Sequence, residues 1–137
     1  MVLREIVFRG KTEKGEWVQG DLFKVFDDGV FIHDGKCHSV KVIPETVGQY
    51  TGLTDKNGTK IFEGDISKVY LEVPYLPSQS KTISAIGVVE FNTEKSCYYV
   101  VSTSGKEYAL CFIIEVIGNI HDNPELLEGS VEDESKT

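Results

Sequence analysis

Short runs of alternating apolar and polar residues, broken by Gly, Asn, Asp and Pro, fill most of this chain. Before the last few residues, none of them sustains the 3.6-residue period of a helix. Residues 4–8 alternate with Ile6 and Phe8 on one face, and the polar stretch 10–15 reads as a turn. A long strand follows over 17–26, interrupted at Gly20, and Asp27-Asp28-Gly29 reverses the chain. Residues 30–33 and 37–43 flank Asp34-Gly35 as a hairpin, and Pro44 ends its second strand. About nine such strands with frequent turns predict an all-β, mainly antiparallel fold, a β-roll or a small Greek-key or SH3-like barrel.

The densest local signal lies at 49–65, where Asp55-Lys56-Asn57-Gly58 supplies residues tolerant of positive φ and predicts a tight hairpin reversal. Gly64-Asp65 then opens a strand in which Val69, Leu71 and Val73 alternate with Tyr70 and Glu72. Ile66 is out of phase with Val69, which predicts a bulge near Ser67-Lys68 if both are buried. Residues 73–80 break the β pattern as an exposed excursion, and 83–91 resume it with apolar residues on both faces, the mark of a central strand. Another strand is expected over 96–102, turned at Ser104-Gly105. In the apolar run 108–120 the first part reads as a helical turn and the second as a strand. Asn123-Pro124-Glu125 has the order of an N-cap, a first-turn proline and a carboxylate at the positive end, so a short C-terminal helix is expected over 124–127.

Several of these segments together carry a family resemblance. Arg4-Glu5-Ile6, Phe8-Arg9-Gly10-Lys11 and Gly15-Glu16-Trp17-Val18-Gln19-Gly20-Asp21 open it, and Gly48-Gln49-Tyr50-Thr51-Gly52-Leu53-Thr54-Asp55-Lys56-Asn57-Gly58 with Ile61-Phe62-Glu63-Gly64-Asp65-Ile66 form its centre. Residues 114–127 close it. In this order the chain resembles the YopX family of bacteriophage and prophage proteins; residues 71–84 are its least typical part. The resemblance implies a phage-type accessory protein and brings neither a settled activity nor catalytic residues.

Length and composition suit one domain, expected over 1–128, followed by an acidic, disordered tail at 129–137. The net charge of −8 is uneven: residues 1–123 hold 13 Lys and Arg against 17 Asp and Glu, and 124–137 hold one against five. An acidic balance argues against tight non-specific nucleic-acid binding, which draws on cations neutralising phosphates, but leaves room for a local basic patch. Three scattered cysteines, Cys37, Cys97 and Cys111, without a Cys-x-x-Cys pair, fit reduced thiols in a bacterial cytoplasm, and burial is the usual fate of such residues. The chain starts without an apolar signal region, and its longest apolar run, 109–114, is too short to span a bilayer, so no membrane role is expected.

Candidate chemistry is sparse. Asp55, Glu63 and Asp65 crowd one motif as a hydrolytic or metal site would, but both aspartates already have turn roles, which leaves Glu63 as the one to test. His33, Cys37, His38, His121 and Asp122 offer ligand types without ligand spacing, so no metal, cofactor or catalytic set is expected. A small barrel with strand tyrosines at 70, 75, 98 and 99 can bind nucleic acid, and Arg9, Lys11 and Lys14 are the candidate contacts. The favoured expectation is a non-enzymatic module that self-associates and binds a host or phage protein. Tyr75 and Leu76, set between two prolines, are its first candidate contacts, with Trp17 second and Tyr50 and Glu63 from the central motif.

Overall fold

The computed structural model describes residues 4–72, 82–110, 113–128 and 133–134. They form antiparallel strands in two sheets with two short 3-10 turns. The chain divides into two compact units, Met1–Gly52 and Leu53–Thr137. None of the described helical segments is long and apolar enough to cross a membrane.

The first unit holds β1 (Phe8–Lys11), β2 (Trp17–Val25), β3 (Gly29–His33), β4 (Ser39–Val42) and the start of β5 (Gly48–Thr54), in the sheet order β4-β3-β2-β1-β5. Gly10, read as part of a turn, is a buried strand residue, and the turn falls instead on 12–15, where Gly15 has φ +87°. Gly10 is needed there because β4 crosses close to β1. A Cβ on it would stand 2.9 Å from Val42 Cβ and 3.1 Å from Ile32 Cδ1. The end of β4 turns back onto β1, with Ile43 N–H donating to the Lys11 carbonyl at 2.8 Å and Lys11 N–H donating to Thr46 Oγ1 at 2.9 Å. The sheet thus curls around Ile32 and Val42, both 2% exposed. Asp27 (φ +68°) and Gly29 make the β2–β3 reversal, and Pro44 ends β4 as expected by starting a 3-10 turn, Pro44–Thr46. Gly20 does not break β2. Its φ of +157° keeps the strand continuous, with its missing side chain facing the His33 carbonyl.

The second unit holds β6 (Lys60–Phe62), β7 (Asp65–Glu72), β8 (Thr82–Asn92), β9 (Cys97–Ser102), β10 (Glu107–Ala109), β11 (Ile113–Asn119) and β12 (Asp133–Glu134). Five of them run in the order β10-β9-β8-β7-β11, and β12 pairs with the start of β8. Central placement of β8 agrees with its two-faced apolar pattern. The core is two cross-strand rows: Ile114, Val69 and Ala85 across β11-β7-β8, and Val89, Val100 and Tyr108 across β8-β9-β10, with Ile61 packed against them.

Three expectations need correction. The irregularity foreseen in β7 is on its partner: β7 pairs with β8 without interruption, and the register shifts on β11 between Val116 and Gly118, leaving Ile117 as the extra residue. Ile66 and Val69 are indeed both fully buried, on opposite faces, because β7 is covered on both sides. The expected helical turn at the start of 108–120 is β10, paired with β9, since tertiary pairing overrides an ambiguous apolar run. The expected C-terminal helix is only a 3-10 turn, Pro124–Leu126. Asn123 makes no cap; its Oδ1 instead accepts from Asn119 N–H at 3.3 Å, and three residues cannot offset helix nucleation. The excursion at 73–80 lies outside the described residues.

Candidate functional site

The central motif folds around Asp55, which is 8% exposed. Gly58 takes φ +84°, and Asp55 Oδ1 accepts from Asn57 N–H at 2.8 Å and Thr59 N–H at 2.9 Å, the turn role its sequence context predicts. Its second oxygen does something no local pattern reveals: Oδ2 accepts from Val116 N–H on β11 at 2.9 Å. Beside it, Lys56 N–H donates to the Ile114 carbonyl at 3.0 Å. The turn is therefore pinned to β11 at two points. Burial raises the Asp55 carboxyl's pKa, but the three backbone N–H groups outweigh it and hold it below the ordinary value. With both oxygens committed to backbone donors, this carboxylate is a clamp rather than a base.

Asp65 is 2% exposed, and its Oδ2 accepts from Phe62 N–H at 2.8 Å, closing the β6–β7 turn backwards rather than forwards along the chain. Between them Glu63 is half-buried in that turn, whose Gly64 N–H donates to the Val89 carbonyl at 2.9 Å. Tyr50 on β5 is 8% exposed, and its N–H donates to the Val7 carbonyl at 2.8 Å. Tyr75 and Leu76 lie outside the described residues.

Among the described residues, the histidines lie in or beside turns and no cysteine joins a chelating set. His33 Nδ1 accepts from Gly35 N–H at 3.0 Å, and Asp34 Oδ1 accepts from Lys36 and His38 N–H, so these residues shape the β3–β4 loop. Asn119 Oδ1 likewise accepts from His121 and Asp122 N–H. Among the described residues no three His, Cys, Asp or Glu side chains gather as metal ligands. Cys37 and Cys97 are exposed, against the burial expected of them, because one sits in a loop and the other at the outer end of β9. Cys111 lies outside the described residues.

One polar cluster went unread in the sequence. Tyr70 on β7 donates its hydroxyl to Glu115 Oε1 on β11 at 2.8 Å, and Lys56 and Lys68 place their ammonium groups 4.8 and 5.7 Å from its ring centroid. The bond to Glu115, then burial, raise the phenol's pKa, so Tyr70 keeps its proton and acts as a donor, not a nucleophile. The signal was a register: Lys68 pairs with Glu115, which only the β7–β11 alignment reveals.

The structure brings together two of the three basic candidates. Arg9 and Lys11 on β1 lie beside Trp17 on β2, with Arg9 Cζ 4.9 Å and Lys11 Nζ 5.8 Å from its ring centroid. Trp17 is half-buried, while Lys14 is exposed in the turn beyond. On the same sheet Phe23 and Phe31 stack at 5.5 Å with their planes 16° apart. Phe26, at the tip of the β2–β3 hairpin, is 90% exposed.

Residues 7–128 match a family model described as YopX protein. No curated protein matches the chain.

Proposed function

The chain belongs to the YopX family, and from that premise we propose that it is a phage-associated, non-catalytic interaction module of the bacterial cytoplasm that binds a host or phage protein and self-associates. Phe26 carries this reading. A phenylalanine left 90% exposed at a hairpin tip gives the free chain almost no burial energy, whereas a partner that encloses the ring gains roughly 2 kcal/mol. Aromatic anchors of this kind dominate interface energetics. The commitment of Asp55 and Asp65 to backbone donors supports the absence of catalysis at the central motif. The curl of the first sheet supports reading that unit as a small barrel. Self-association is assigned to edge pairing along β10, which ends the sheet order of the second unit.

The test is capture with tagged wild-type and Phe26→Asp proteins from a host carrying the phage, with and without nuclease. A stoichiometric protein that survives nuclease and falls at least about tenfold with Phe26→Asp supports the reading. Equal retention by both proteins overturns Phe26 as the anchor. A monomer by light scattering at micromolar concentration removes self-association.

A further inference from the structure

Beyond the hairpin tip, the first unit carries a second surface of different chemistry. Strand alternation sorts β1–β4 into two faces. Even-numbered positions lie on the inner side of the curl, where Gly10, Ile32 and Val42 are buried while Lys24 and Val40 are exposed. Odd-numbered positions form the outer face, and the registers Arg9 to Gln19, Lys11 to Trp17, Phe23 to Phe31 and Phe31 to Lys41 place them side by side. Among them are three cations, Arg9, Lys11 and Lys41, and a single carboxylate, Asp21. Counted over the strand residues, this face is net positive by two in a chain of net charge −8, and Glu13, Lys14 and Glu16 of the β1–β2 turn line a pocket with Lys41.

Aromatic and basic groups alternate along it. At one end Arg9 and Lys11 lie over Trp17, which holds both cations at the surface rather than loose in solvent. At the other the Phe23–Phe31 stack, with Phe23 38% exposed, adjoins Lys41. Phe23 lies six positions along β2 from Trp17, roughly 20 Å of strand. Cations that neutralise phosphates beside aromatic surfaces that stack any base are the two requirements for binding a single strand without sequence readout.

We propose that the outer face of the first sheet binds single-stranded nucleic acid, with its phosphates on Arg9, Lys11 and Lys41 and its bases against the Phe23–Phe31 pair. An acidic polypeptide would satisfy the cations but leave the phenylalanines without a planar partner. A duplex would hide its bases from them.

Fluorescence anisotropy of a labelled oligothymidylate of about twenty nucleotides, titrated with the full chain, reads this directly. A Kd in the micromolar range is expected, weakening about 20-fold between roughly 50 and 200 mM salt if three phosphates are neutralised. Lys41→Gln, at an exposed edge position, should reduce that loss to about 7-fold. Phe23→Ala should weaken binding about tenfold at fixed salt. Circular dichroism confirms that each variant is folded. The proposal is overturned by no anisotropy change, by binding indifferent to both substitutions in folded protein, by displacement with polyglutamate at equal charge, or by tighter binding of the matching duplex.

Discussion

A single carboxylate shows how far local chemistry reaches. The sequence Asp55-Lys56-Asn57-Gly58 was enough to assign Asp55 to a turn, because short acidic side chains bond backbone donors two residues on. It held no sign of the bond to Val116, 61 residues away, since that partner is a backbone group and any residue supplies one. Asp55→Asn replaces one acceptor oxygen by an amide and leaves one buried N–H unpaired, an expected loss of about 1–3 kcal/mol in denaturant unfolding. The pH dependence has a definite sign. A carboxyl whose folded pKa is depressed contributes its full stability above its unfolded value, near the ordinary 3.8, and loses it as pH falls through the lower folded value. The wild-type melting temperature should therefore drop more steeply than that of Asp55→Asn on acidification below about pH 4. Parallel acid limbs for the two proteins would remove Asp55 as a clamp. Cys37 and Cys97 mark the opposite failure: composition suggested burial, and only their positions, in a loop and at the outer end of a strand, decide otherwise.

Strands and reversals were largely legible, because alternation and turn residues are local codes. The β2–β3 and β3–β4 hairpins, the Pro44 stop and central β8 all follow from them. What failed were features set by the partner strand. The bulge was inferred from β7 and belongs to β11, and the apolar run before residue 111 takes its strand form from β9. Gly20 is the sharpest case. It reads as a weak point in a strand, yet a Cβ there would stand 2.0 Å from the His33 carbonyl oxygen at a φ disfavoured for other residues. Gly20→Ala should cost more than about 3 kcal/mol, whereas Gly105→Ala, with nothing within 4 Å, costs only its positive φ of 91°, about 1–2 kcal/mol. Denaturation midpoints of the two variants measure the difference.

Across the molecule, charge divides by unit. Met1–Gly52 holds seven Lys and Arg against eight Asp and Glu, and Leu53–Thr137 holds seven against fourteen. Self-repulsion is therefore concentrated in the second unit, and salt screens it. Raising ionic strength from about 0.05 to 0.5 M should slow amide exchange in β7–β9 more than in β1–β4; the reverse order would contradict this division. The family match spans both units, and the boundary at Gly52 falls inside β5. The closing of β1 also sets an order in time. Its partners are the adjacent β2, then Ile43, Thr46 and Gln49, so β1, though made before them, is among the last to be completed. At ribosomal speeds of about 5–20 residues per second, Arg9 and Lys11 wait a few seconds for those residues to emerge. The first unit can then close while most of the second has yet to be translated.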